Sequence, residues 1–89
     1  MEHIYVDTML GYEPTDEQAE LAQHIARNVR IACKAVKKLH DEKVIPTDER
    51  YRRYYKLIHE YQIDLGVIVG MNAAERTIAE IWNGVKVIK

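Results

Sequence analysis

The chain lacks a second cysteine, a strong excess of either charge and a long apolar run. Cys33 alone excludes an internal disulfide and, without partner cysteines, a thiolate zinc site. Thirteen Lys and Arg residues against 14 Asp and Glu residues give a net charge of −1, which implies no general attraction to polyanions. The apolar run around Gly70 is shorter than the ~20 residues that span a bilayer. No membrane partner is therefore expected.

Nothing at the N-terminus resembles a signal peptide, because Glu2, His3 and Asp7 interrupt any apolar stretch. Hydrophobic residues make up 47% of the 89 residues and charged residues 30%, as in an ordinary soluble globular protein. Such a chain forms one domain, residues 1–89, and buries only ~60–65% of its unfolded surface. We therefore expect a cytoplasmic protein whose modest core is helped by self-association.

The first half of the chain predicts an extended arm followed by a long helix. Residues 1–14 form the arm, and residues 15–44 form the helix. Thr15 can cap it, with Gln18 completing a capping box. Pro46 disfavours helix at the preceding residue and ends this element. Apolar residues recur at spacings of three and four, which is typical of an amphipathic helix: Ala22, Ile25, Val29, Ala32, Val36 and Leu39.

A second helix is predicted over residues 48–83, with Thr47 as its cap and a tail at residues 84–89. Its apolar stripe has the same spacing: Tyr51, Tyr54, Ile58, Tyr61, Leu65 and Ile68. Near-equal helices with a short connection favour an antiparallel pair. The predicted fold is all-α, an antiparallel two-helix hairpin with a short extended N-terminal arm, assembled as a homo-oligomer.

Ten uncharged residues, 65–74, interrupt the charge pattern of the second helix. If helical, this stretch is apolar on more faces than one neighbouring helix can cover. Helix-interior glycine costs ~1 kcal/mol relative to alanine, so the glycines suggest close approach to the backbone. The predicted subunit interface consists of Gly66, Val69, Gly70 and Ala73. Alternatively, residues 65–71 form a strand, with a new helix capped near residues 72–75.

Signatures of catalysis are missing. There is no nucleophile–base pattern, no glycine loop for phosphate and no telling carboxylate pair, so we expect no enzyme, no cofactor and no metal. Glu20 and His24 lie one turn apart, but no third metal ligand is implied. The basic and aromatic residues 50–56 place tyrosines on the core stripe, so this segment does not favour nucleic-acid binding.

Three residues are candidates for binding a ligand. Tyr12 precedes the first helix, where its ring could lie over a flat ligand. Arg27 and Arg30 lie along that helix and could donate to phosphate. On the alternative reading, the tyrosine packs on the hairpin and the arginines are surface charges.

Two motifs together resemble a family of small phage proteins. Gly11-Tyr12 stands before the first helix, and Gly70 is followed six residues later by Arg76-Thr77-Ile78-Ala79. Similar motifs occur in the helical-hairpin cyclic-oligonucleotide sponges that disarm CBASS immunity, a hairpin also found in an anti-Thoeris sponge. The resemblance covers the architecture from about residue 11 to residue 82, but only a handful of positions in identity.

The resemblance implies a homo-oligomer, typically a hexamer, that binds cyclic dinucleotides such as cGAMP in pockets between subunits. Tyr12 would stack on a base, and Arg27 would contact the ligand in place of the usual lysine. Arg76 would serve a second pocket for cyclic trinucleotides. The chain departs from the family pattern at Met71-Asn72 and at Val29, where a hydroxyl is usual, which puts trinucleotide binding in doubt.

The function expected from these features is that of a non-catalytic phage anti-defence protein. It would sequester cyclic di- or trinucleotides in the cytoplasm of the infected host cell. The alternative is a small helical phage-type inhibitor or adaptor that binds a host protein.

Overall fold

The computed structural model describes residues 2–11 and 13–87. In these ranges three α-helices follow an N-terminal arm, defined here as residues 2–10: α1 (Asp16–Asp41), α2 (Glu49–Val69) and α3 (Met71–Val87). The arm is extended as predicted, except that it ends in a 3-10 helix, Thr8–Leu10. The described residues contain no strand. The all-α prediction is confirmed, but the hairpin has three helices rather than two.

The first helix begins where the capping residues predict. The Thr15 hydroxyl accepts a hydrogen bond from the Gln18 backbone at 3.2 Å, and the Gln18 side chain accepts one from the Thr15 backbone at 2.9 Å. α1 ends at Asp41, three residues earlier than predicted, and Lys43 follows with a φ of 58°. The predicted stripe is buried, and Ala26 and Cys33 join it.

The cap of α2 is Asp48 rather than Thr47, because the Asp48 carboxylate accepts a hydrogen bond from the Arg50 backbone at 2.9 Å. At the other end of the chain, the predicted tail at residues 84–89 is wrong for its described part. α3 continues through Gly84 to Val87, since Val85 is buried in the core and holds this turn against the bundle. Residues 88 and 89 lie outside the described residues.

A break at Gly70 divides the predicted second helix into α2 and α3. Gly70 has φ 94° and ψ 147°, a conformation essentially restricted to glycine. The strand alternative is also wrong, because residues 65–69 are helical. The arm crosses the chain at this break. The Asp7 backbone donates to the carbonyl oxygen of Val69 at 2.8 Å, and a Cβ on Gly70 would lie 2.6 Å from the Cβ of Asp7.

The predicted subunit interface is wrong in its positions, because Gly66, Val69, Gly70 and Ala73 are all buried within a single chain. The close approach expected at the glycines is made by the protein's own residues. The arm covers Gly70, and a Cβ on Gly66 would collide with the Met71 sulfur. A second copy would have to open the core to reach these residues. Self-association itself stays a prediction.

The core lies where the three helices meet. Its main cluster joins the middle of α1 to the end of α2 and the inner face of α3, and a smaller cluster lies near the α1–α2 loop. Trp82 is half-buried and packs against both clusters. The arm lies beside the main cluster, so the packing of the helices fixes where its backbone can dock. No helix in the described ranges has the length and apolar content to cross a membrane.

Candidate functional site

Backbone hydrogen bonds attach the arm to α1, α3 and the helix break. The amide side chain of Gln23 accepts from the Glu2 N–H at 3.0 Å and donates to the Glu2 carbonyl oxygen at 2.7 Å. The Tyr5 N–H donates to the Thr77 hydroxyl at 3.0 Å. With the bond from Asp7 to the helix break, these contacts hold the arm at Glu2, Tyr5 and Asp7. The residues between them, Ile4 and Val6, line a cleft on the α1 side.

This cleft, between the arm and α1, has a volume of about 670 Å³ and is open to solvent. Ile4 and Val6 form one wall, and Pro14 lies between them and the start of α1. Glu20 and Arg27 lie on the α1 side. Small-molecule sites in proteins have volumes of ~300–1,000 Å³ and combine apolar walls with a few polar groups. The cleft has both properties.

Among the predicted ligand-binding residues that the structure describes, only Arg27 lines this cleft, which is called the Arg27 cleft below. It is exposed, and among the residues that the structure describes it makes no side-chain hydrogen bond or ion pair. Its guanidinium can therefore bind an anion without first breaking an internal contact. His24 lies one turn before it, and Glu20 one turn before that, so the polar edge offers both donors and an acceptor.

Arg30 has a different environment, although it is only one turn further along α1. Its Nε and Nη2 atoms donate to the two carboxylate oxygens of Glu2 at 2.5 and 2.7 Å. The Glu2 side chain is only 12% exposed, and the Arg30 side chain 30%. The hydrogen bonds from Arg30 lower the pKa of Glu2, and the carboxylate raises the pKa of Arg30. Arg30 is therefore already paired with an anion.

Arg76 lies against the arm on its α3 side. Its guanidinium carbon is 4.1 Å from the centre of the Tyr5 ring, and the Tyr5 hydroxyl donates to Glu80 at 2.6 Å. That hydrogen bond raises the pKa of Tyr5 and lowers the pKa of Glu80. Arg76 is not among the residues that line the Arg27 cleft. The structure does not bring Arg76 and Arg27 into one site.

Tyr12 lies outside the described residues. Its neighbours Gly11 and Glu13 line a second opening, which shares Val6 and Pro14 with the Arg27 cleft.

Val29 is fully buried in the core, so it does not face a ligand at the surface. In the basic and aromatic segment 50–56, residues make contacts within the fold, as expected from the core stripe. Tyr51 is buried and donates to the Val44 carbonyl oxygen at 2.9 Å, and Arg50 pairs with Asp48. Within the described ranges, no group of three His, Cys, Asp or Glu side chains could hold a metal ion.

Sequence reasoning missed two residues of this region, Glu2 and Tyr5. Their partners are 28 residues away at Arg30, and 75 residues away at Glu80. No local spacing reports such contacts. For Tyr5 the available signal was weak, namely its alternation with Ile4 and Val6 in an extended segment, and this alternation does not single out Glu2.

Comparison of the chain with family models, with curated proteins and with solved structures finds no match in any of the three.

Proposed function

We propose that the protein sequesters cyclic dinucleotides, such as cGAMP, without chemical turnover, as a phage anti-defence protein. The observation that carries this proposal is Arg27, an exposed guanidinium with no partner among the described residues, at the edge of a cleft with apolar walls. Such a site suits a ligand that is both anionic and flat. The motifs at Gly11-Tyr12 and Arg76–Ala79 indicate which ligand of this kind to test first.

Different groups of the cleft suit the phosphate and the base of such a ligand. A guanidinium donates two parallel hydrogen bonds to a phosphate oxygen pair, so Arg27 suits the phosphodiester. Ile4, Val6 and Pro14 offer apolar area for a base. The Glu20 carboxylate can accept from a base amino group or a ribose hydroxyl. The negative charge of Glu20 also disfavours an anion that has no amino or ribose hydroxyl donor. This favours a nucleotide over a simple phosphate at this cleft.

A cyclic dinucleotide has two phosphates, and one chain offers one Arg27. A symmetric pair of chains would offer two, so we propose that the binding form is a homo-oligomer. The support for self-association lies on the outer face around the helix break. Ile63 and Val67, one turn apart on α2, are 45% and 76% exposed, and Met71, the first residue of α3, is 51% exposed. This face replaces the buried glycines as the proposed subunit contact.

Cyclic trinucleotides are the weaker part of the proposal. Arg76, which the family resemblance assigns to a trinucleotide pocket, already lies over Tyr5. A trinucleotide would have to compete with that contact. Cyclic dinucleotides are proposed to contact Arg27 instead, so they should bind more tightly than trinucleotides.

Calorimetry with a panel of cyclic di- and trinucleotides tests the proposal. We expect dinucleotide binding to weaken at least about tenfold in Arg27→Ala, because one charge-assisted phosphate contact is lost. Arg27→Lys should recover part of this loss, since it restores the charge. Arg53→Ala is the matched control, an exposed arginine on α2 outside the cleft. The absence of heat with every nucleotide, from a folded protein, would refute sequestration.

A second candidate function is inhibition of a host protein through the face formed by Ile63, Val67 and Met71. This face fits an apolar partner surface as well as it fits a second copy. Sedimentation separates the two candidates. A clean monomer at high concentration that binds no nucleotide favours the host-protein function, whereas an oligomer that binds dinucleotides favours sequestration.

A further inference from the structure

The Glu2 carboxylate occupies a small basic surface on α1. Both of its oxygens accept hydrogen bonds from Arg30, at 2.5 and 2.7 Å. Lys34 lies one turn further along α1, is exposed, and its charge also lowers the pKa of Glu2. Arg30 and Lys34 thus both act on a carboxylate whose side chain is only 12% exposed.

The geometry of this contact is the one with which arginine binds a phosphate group. Two parallel N–H donors to two oxygens recognise carboxylate and phosphate alike. A phosphate adds a third oxygen and up to one more negative charge, which Lys34 can bind and Glu2 cannot supply. A phosphate could therefore take the place of the Glu2 carboxylate on Arg30.

We propose that Arg30 and Lys34 form an anion subsite that takes a phosphate group, and that Glu2 fills this subsite as an internal competitor until such an anion displaces the arm. The subsite lies next to Arg27 on the same helix, so it extends the proposed function. The identity of the natural ligand rests on that proposed function. The chemical class of the ligand is a phosphate monoester, diester or free phosphate.

Displacement of Glu2 would have consequences along the arm. Gln23 holds the Glu2 backbone, and Ile4 forms a wall of the Arg27 cleft. Release at Glu2 therefore loosens the wall of the neighbouring cleft. A tethered carboxylate has an effective concentration in the mM range, so free phosphate needs at least similar concentrations to compete. A ligand that also pairs with Arg27, which stays in place on α1, would need less.

Hydrogen exchange followed by NMR, with inorganic phosphate as the probe, tests this subsite. The reporters are the Tyr5 and Asp7 amides, which donate to Thr77 and to the Val69 carbonyl oxygen. In the full chain, phosphate should raise their exchange rates about fivefold or more and to saturation. Chloride at matched ionic strength should not. Equal effects of phosphate and chloride would overturn the proposal.

Four variants locate the subsite. Glu2→Gln should raise the exchange rates of the arm amides before any phosphate is added. It should also tighten phosphate binding about tenfold, if the arm of the unchanged protein is released about one-tenth of the time. In Arg30→Gln, phosphate should have no further effect on the arm. Lys34→Gln touches no hydrogen bond of the arm and should move the phosphate midpoint to higher concentration. Lys38→Gln, on the same helix but paired at 3.9 Å with Glu42, is the control.

The outcomes separate this proposal from nucleotide sequestration. Arm release by phosphate without nucleotide binding would refute sequestration and support the subsite. Nucleotide binding that leaves arm exchange unchanged would overturn the subsite and leave sequestration standing. Identical phosphate titrations of Lys34→Gln and Lys38→Gln would also overturn the subsite.

Discussion

The two ends of the helical bundle are held together by different kinds of contact. At the α1–α2 loop, Val36, Leu39 and Tyr51 pack as an apolar cluster, and the Tyr51 hydroxyl donates to Val44, seven residues away. At the arm end, ion pairs and hydrogen bonds are added to the packing of Ile4 and Tyr5 on the main cluster. They join residues as far apart as Tyr5 and Glu80.

This difference indicates where the molecule can respond to a ligand. Apolar packing at the loop end has no competitor in solution, because no small solute replaces a buried tyrosine. The polar contacts of the arm can be exchanged for water or for another anion. The arm also forms a wall of the Arg27 cleft, whose arginine pairs with no other residue in the described part of the chain. We therefore expect movement linked to binding at the arm end, and a rigid loop end.

The largest expected effect comes from Gly70→Ala. The glycine-only backbone at φ 94° and the 2.6 Å approach of Asp7 to the new Cβ should together lower the free energy of unfolding by about 2–3 kcal/mol. Chemical denaturation measures this change. Because the clash is with the arm, the Asp7 amide should also exchange faster in the folded state.

Gly84→Ala is the matched control for this prediction. Gly84 lies inside α3, and a Cβ there meets nothing within 4 Å. Removing a helix-interior glycine should raise the free energy of unfolding by up to about 1 kcal/mol. Equal effects of the two substitutions would contradict the strained break and the close crossing of the arm.

The elements that the sequence predicts correctly depend on local patterns. Thr15 and Gln18 form the expected capping box, and the six predicted stripe residues of α1 are buried. Both signals come from spacings of three and four residues, which are the geometry of the helix itself. The exposed Arg27 also follows from this register, since the core stripe faces away from it.

The features that the sequence does not predict depend on distant residues. The two glycines indicate close approach, but they do not say that Asp7 makes it at Gly70 rather than a second copy. Likewise, the composition of α1 does not distinguish Arg27 from Arg30. Glu2 makes the difference, and its position is set by the folded path of the arm.

The second prediction compares one polar contact at each end as a function of pH. Glu2→Gln should lower the free energy of unfolding by about 1–2 kcal/mol at neutral pH, and Tyr51→Phe by about 1 kcal/mol. Because the folded-state pKa of Glu2 is lowered, its stabilisation is complete above the ordinary glutamate pKa of about 4.3 and is lost as the pH falls through the folded value. The Tyr51 effect should stay constant, since this hydroxyl titrates only in base.

Denaturation from neutral pH to about pH 2 measures both variants, since protonation of Glu2 removes the contribution of its charge. The difference between Glu2→Gln and the unchanged protein should shrink toward zero at the acid end. If it stays constant while the Tyr51→Phe difference changes, the assignment of ionic contacts to the arm end is wrong.

The smallest expected effect is that of Arg76→Gln. The guanidinium lies 4.1 Å from the centre of the Tyr5 ring, but Arg76 is exposed, and such cation–π contacts contribute only about 0.5–1 kcal/mol. The more specific measurement is the pKa of Tyr5, which Glu80 raises and the charge of Arg76 lowers. Removing that charge should raise the Tyr5 pKa further in an NMR titration of its ring. Glu75→Gln, an exposed neighbour on α3, should change it less, and a larger shift in this control would contradict direct contact between Arg76 and the arm.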